Sequence, residues 1–208
     1  MLDLLGFKYR FERGTSDRTL LLLHGTGGDE NDMLPLGRLL DPGSNLLSPR
    51  GKVIEAGYPR FFRRFAEGVL DIDDLKARTE ELVGFIDAAA TEHGFARESV
   101  VAVGYSNGAN IAVSTLLLYP KVLSAAVLFR PMFPFEPEGS PELDGIPILI
   151  VSGTNDPLID RDQPERLAEV LKEGGAEVTL NWSAAGHQLE RAEVDVAQRW
   201  LQKLEELR

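Results

Sequence analysis

A hydroxyl becomes a useful nucleophile only when the chain displays it sharply and sets a base beside it. One serine in these 208 residues has the display written into its neighbours. Ser106 stands in Gly104-Tyr105-Ser106-Asn107-Gly108, after Val100-Val101-Ala102-Val103 and before an apolar run opening at Ala109. The first apolar run reads as a buried strand, and Ala109 to Tyr119 as a helix. Between them the serine occupies a turn too sharp for relaxed backbone. A side chain at either flanking glycine would strike the adjoining strand or helix. The helix N-terminus behind the serine would also support negative charge developing on a substrate. The five-residue pattern recurs by chance, and an ordinary glycine-rich turn is the competing reading. The partners of the serine decide between the two.

Three histidines could serve as its base. His24 ends the apolar run Thr19-Leu20-Leu21-Leu22-Leu23 and is expected to find its hydrogen bonds within the loop it opens. His93 falls in the last turn of a predicted helix, where the dipole favours a surface cation. His187, in Ala185-Gly186-His187-Gln188, follows the last predicted strand, at the strand end where α/β sites gather. Such a base needs a carboxylate to fix its tautomer. Gly153-Thr154-Asn155-Asp156-Pro157 puts Asp156 just past another apolar strand. That segment is also an ordinary turn sequence, and Asp160 or Asp162 could serve instead. For charge on a substrate oxygen, His24-Gly25-Thr26-Gly27-Gly28-Asp29 offers a backbone amide, that of Thr26. The loop is not read as a phosphate cradle, because neither Gly-Lys-Ser/Thr nor Gly-x-Gly-x-x-Gly is present.

The elements that must position these residues can be read along the chain. Phe7 to Arg13 alternates and is expected to be a half-exposed edge strand, whereas Thr19 to Leu23 has the unbroken apolarity of a central one. Asp29 to Asp32 is expected to cap a short helix carrying Met33, Leu36, Leu39 and Leu40. A strand follows at 45–48. Residues 51–70 are irregular; there Phe61 and Phe62 with Arg63 are expected to form a substrate-site rim, or else to fill a core edge. A long helix runs from Asp71 to about His93. Beyond the serine come strands at 125–129 and 146–151, a helix at 164–172 and a strand at 177–182. The closing helix presents Leu189, Ala192, Val196, Trp200, Leu204 and Leu207 as a docking face. Strands alternating with helices imply an α/β fold with a mostly parallel sheet covered on both faces.

Composition bounds what this machinery could serve. A length of 208 residues suits one domain with a sizeable core, and 43% hydrophobic with 26% charged residues is the balance of a globular chain. The net charge of −11 argues against nucleic-acid backbones and anionic membranes as partners. No cysteine is present, which removes disulfides, thiolate metal sites and a cysteine nucleophile together. The N-terminal segment carries Asp3 and no long apolar core, so neither a signal peptide nor a membrane span is expected. The expected location is the cytoplasm.

Taken together, these segments resemble an α/β-hydrolase of the phospholipase/carboxylesterase family, which spans small bacterial carboxylesterases and acyl-protein thioesterases. The likeness runs from Thr19 onward. It rests on His24-Gly25-Thr26-Gly27-Gly28, on Gly104-Tyr105-Ser106-Asn107-Gly108, on Gly153-Thr154-Asn155-Asp156-Pro157 and on Gly186-His187-Gln188. The chain order Ser106, Asp156, His187 matches that fold. The resemblance implies Ser106 as nucleophile, His187 as base, Asp156 as its orienter, and the backbone amides of Thr26 and Asn107 as the oxyanion hole. It implies no metal and no organic cofactor, a small ester as substrate and a homodimer. Acyl-protein thioesterases tend to carry Trp-Phe-Asp where this chain has Arg60-Phe61-Phe62-Arg63-Arg64, which favours the bacterial carboxylesterase branch. Cap domains enter this fold after the strand that follows the nucleophile's helix. Only residues 130–146 separate that strand from the next here, so a single domain without a cap, and an open site, are expected. The expected function is a serine carboxylesterase on small carboxylic esters. The alternatives are an acyl thioesterase or lysophospholipase with the same triad, and a non-catalytic ligand-binding protein on the same scaffold.

Overall fold

The computed structural model describes residues 2–206. Its first half contains β1 (Leu2–Leu4), β2 (Phe7–Glu12), β3 (Thr19–Leu23), the short helix α1 (Leu34–Leu40) and β4 (Asn45–Pro49). Two small hairpins follow, β5 (Val53–Glu55) with β6 (Tyr58–Arg60), and β7 (Arg64–Ala66) with β8 (Val69–Leu70). Then come α2 (Ile72–His93), β9 (Val100–Tyr105), α3 (Asn107–Leu118), β10 (Ala125–Phe129), β11 (Pro147–Gly153), α4 (Asp162–Glu173), β12 (Glu177–Ser183) and α5 (Arg191–Glu206). Eight strands form one sheet in the order β1-β2-β4-β3-β9-β10-β11-β12. From β4 onward every neighbouring pair is parallel, and β1 and β2 add an antiparallel flank.

Successive residues of a strand face opposite sides, and the central strands are apolar throughout because both sides are covered. Leu21, Leu23, Val100 and Ala102 join a core layer with α2, α3 and α4; Leu20, Leu22, Val101 and Val103 join the other, beneath α1 and α5. The sheet thus places the C-terminal ends of β3, β9, β10, β11 and β12 along one edge, which brings the loops that follow them together.

Four sequence-based expectations are corrected. β2 is not an edge, because β1 pairs outside it in register Leu2 with Tyr9; at three residues β1 is too short to show a period. Asp29 and Asp32 do not cap α1, whose N-cap is Met33 without a side-chain bond. Their carboxylates instead hold the amides of Asn31 and Asp29 in a preceding turn. The docking face of α5 is rotated: Val194, Ala197 and Leu201 are buried, Val196, Trp200 and Leu204 lie beside them, Ala192 is exposed, and Leu207 lies outside the described residues. His93 is not a surface cation. Its ring stacks on Phe11 at 3.9 Å and meets the Tyr9 hydroxyl at 2.9 Å, and burial lowers its pKa. The segment 130–146 contains no helix.

Candidate active site

Ser106 is the junction between β9 and α3, with φ +52° and ψ −112°, a region that L-residues avoid. Its N–H donates to Phe129 O at 2.9 Å, so β10 helps to hold the strained turn. The flanking glycines are dictated by backbone approach. A Cβ on Gly104 would lie 2.6 Å from Gly108 O, and one on Gly108 only 2.0 Å from Leu23 O. Gly108 therefore sets how closely α3 sits on β3.

The structure brings Ser106, His187 and Asp156 together. His187 Nε2 lies 3.0 Å from Ser106 Oγ, and Nδ1 lies 2.8 Å from Asp156 Oδ2. The Asp156 side chain is buried, and its other oxygen accepts the Leu158 N–H at 2.9 Å. Asp160 and Asp162 are exposed, and among the described residues the hydrogen bonds of the ring go to Asp156 and Ser106. With Nδ1–H donating to the carboxylate, Nε2 is left to accept the serine proton, an arrangement fit for acyl transfer. Thr26 and Asn107 both line the cleft beside Ser106. No hydrogen bond inside the protein uses either backbone N–H among the described residues.

His24 is a fastener of this loop. Its Nδ1 is 2.7 Å from Gly25 O, and its Nε2 accepts the Gly51 N–H at 2.9 Å. Those two bonds fix a neutral tautomer, and burial lowers its pKa.

The cleft encloses about 430 Å³, its open mouth included. Met132, Leu158 and Ile159 belong to the apolar part of its lining, and Arg60, Arg64 and Asn110 to the polar part. The expected rim residues do not line it. Phe61 and Phe62 are 2% and 0% exposed and belong to the core. Arg63 points away, 3.0 Å from Asp71 and 3.7 Å from Asp74 at the start of α2. The reason is local: residues 61–63 link two hairpins, and the Phe61 N–H donates to Asn107 Oδ1 at 2.7 Å. Arg60 takes the place at the wall. It is buried, donates to Thr26 Oγ1 at 2.5 Å and to Phe62 O at 3.2 Å, and lies 3.3 Å from Glu55. Burial, reinforced by neighbouring Arg64, pulls its pKa below the usual arginine range.

Sequence reasoning passed over Arg130, Glu193 and Tyr105, which surround the His187 loop. The signal was a cation directly after the apolar strand at 125–129. Among the described residues, no group of three His, Asp or Glu side chains is arranged to hold a metal ion. No described helix is long and apolar enough to cross a membrane.

A parallel sheet with a strained serine at the elbow of a central strand, met by an aspartate and a histidine from later strands, defines an α/β-hydrolase. The chain belongs to the dienelactone hydrolase family, which residues 69–199 match. It is 50% identical over 193 residues to MhqD, a hydrolase by name, of Bacillus subtilis (strain 168), covering 93% of this chain and 96% of that one. The Bacillus cereus carboxylesterase superposes with a TM-score of 0.93 at 47% identity, covering 95% and 94% of the two chains. YahD, solved with malic acid, gives a TM-score of 0.90 at 30% identity over 95% and 98%. The protein is accordingly a hydrolase of carboxylesterase type.

Proposed function

We propose that this enzyme hydrolyses small carboxylic esters by a Ser106–His187–Asp156 triad through an acyl-enzyme. Ser106 Oγ attacks the carbonyl carbon as His187 Nε2 takes its proton. The resulting oxyanion is received by the N–H groups of Thr26, in the loop after β3, and of Asn107, at the α3 N-terminus. Collapse breaks the bond to the alcohol oxygen, which leaves with the proton from His187. Water, deprotonated by the same nitrogen, then attacks the acyl-serine, and the acid departs as Ser106 regains its proton. The carrying observation is the single imidazole bridging Ser106 and Asp156.

The cleft wall narrows the substrate class. Buried Arg60, with Arg64 and Asn110 beside it, favours an acyl group that ends in a hydrogen-bond acceptor, and YahD was solved with malic acid, a small dicarboxylic acid. A cytoplasmic, homodimeric enzyme completes the reading, and light scattering measures the second property.

Ser106→Ala should abolish both fluorophosphonate labelling and ester turnover; hydrolysis surviving in that variant would sink the triad. A panel pairing monoesters of short dicarboxylic acids with plain short esters and thioesters sets the class. Preference for long acyl thioesters would transfer the assignment to the thioesterase alternative.

A further inference from the structure

The loop that carries His187 is secured through its carbonyl groups, one after another. Asn155 Nδ2 holds Ala184 O at 2.8 Å, and the Asn155 N–H holds Ala185 O at 3.1 Å. Arg130 Nε donates to Gly186 O at 2.8 Å and Nη2 to Gln188 O at 3.1 Å. Between them the Tyr105 hydroxyl donates to the carbonyl of His187 itself at 3.1 Å. Five consecutive acceptors therefore have assigned donors, and Arg130 grips the residue on each side of the histidine.

Arg130 is also the positive centre of a buried charge cluster. Its side chain is wholly inaccessible. Nη1 donates to Val151 O at 3.2 Å, in the strand that leads to Asp156. Nη2 lies 2.7 and 2.8 Å from the two carboxylate oxygens of Glu193, and Nε lies 3.9 Å from Asp156 Oδ2. Glu193 is itself fixed by Ser183 Oγ at 2.5 Å and the Glu190 N–H at 2.9 Å. The backbone of Arg130 is held at φ +56°, with its N–H on Val151 O at 2.9 Å. A non-glycine residue in the left-handed region signals a position over-determined by its surroundings.

A cation that only neutralised a carboxylate would not need this fork. We propose that Arg130, anchored by Glu193, is a positioning residue for hydrolysis: it fixes the His187 loop against β11, so that one imidazole reaches Asp156 and Ser106 together. The planar guanidinium serves four acceptors in different directions, which an ammonium on a flexible stem cannot do. A displacement near 1 Å at a reacting group costs about a hundredfold in rate. Arg60 and Met132 line the cleft and Arg130 does not, so the loss should fall on kcat and not on KM.

The inference rests on the triad reading, and the test separates the two. Arg130→Lys and Glu193→Gln are compared with the wild type for kcat, KM and the rate of fluorophosphonate labelling, each normalised to titrated active sites. Arg130→Lys should lose about thirtyfold to a hundredfold in kcat and in labelling rate, with KM within about twofold and full labelling eventually reached. Glu193→Gln should move in the same direction by a smaller factor. If Arg130→Lys does not fold, Tyr105→Phe, which removes only the bond to His187 O, is read instead and should lower kcat about threefold to tenfold. Unchanged kcat per titrated site in the folded variants, or a rise in KM alone, overturns the positioning role and leaves the triad standing. A wild type that does not label at Ser106 overturns the triad first.

Discussion

In the proposed triad His187 can accept a proton from Ser106 only while its Nδ1 keeps one, and Asp156 Oδ2 lies 2.8 Å from that nitrogen. Asn in place of Asp156 can present an N–H to Nδ1 and stabilise the wrong tautomer. Asp156→Asn should therefore fold normally and lose roughly 10³ to 10⁴ in kcat, whereas Asp160→Asn, on an exposed turn, should stay near wild type. The reverse pattern would relocate the acid. At this scale legibility followed locality. Ser106 could be singled out because its glycines encode backbone contacts within a few residues. Asp156 could not be separated from Asp160 and Asp162 by composition, since all three sit in turn-forming sequence; the Leu158 N–H on Oδ1 settles which oxygen faces the ring. The cation after the strand at 125–129 was a visible signal, but its role was not, because its partner Glu193 is 63 residues away. In the segment 60–64 the irregular sequence shows no period from which to read facing, so nothing local distinguishes Arg60, which lines the cleft, from Arg63, which pairs with Asp71.

Among the elements, two glycines with opposite surroundings make a controlled pair. Gly108 is the contact between α3 and β3, and its Cβ would meet Leu23 O and Leu23 C, neither of which can yield without moving a central strand. Gly108→Ala should destabilise by about 3 kcal/mol or more. Gly84 lies within α2, where a Cβ would meet nothing within 4 Å. Gly84→Ala should stabilise by about 0.5–1 kcal/mol, through lower unfolded-state entropy and better helix propensity. Urea unfolding midpoints measure both, and a neutral Gly108→Ala would mean that α3 can retreat from the sheet. Long elements were legible because period and caps agree: α2 has Asp71 accepting the Asp74 N–H at its start and Gly94 in the left-handed region at its end. The two hairpins were not legible. Strands of two or three residues carry too few side chains to display alternation, and their pairing is set by turns at Gly57 and Gly68, both with positive φ.

The stability of the whole molecule should depend on pH through His24. Burial lowers its pKa in the folded protein, so the unfolded chain binds a proton first as pH falls. Its contribution is complete above the unfolded value of about 6.5 and is lost as pH drops from there through the lower folded value. His93, lowered for the same reason, adds in the same direction. The fall in melting temperature between pH 8 and pH 5 should be smaller in His24→Asn than in the wild type, even though that variant starts lower. An equal fall in both would assign the acid sensitivity to other groups. The overall layering, a covered and mostly parallel sheet, was legible because apolar runs with no polar face leave few alternatives. The outer β1 was not, being three residues long.

The wide separation of the site's components along the chain has a consequence for synthesis. Ser106 and His187 are 81 residues apart, and Glu193, which anchors the histidine loop, lies on the last helix. At about 5–20 residues per second a ribosome needs roughly 4 to 16 s to travel from one to the other. Throughout that interval the growing chain carries its serine without the histidine meant to receive the proton. On the proposed triad, reactivity is thus the last property the polypeptide acquires, expected only once α5 has closed over the sheet, and a chain that stalls or is cut before that point should be born inert.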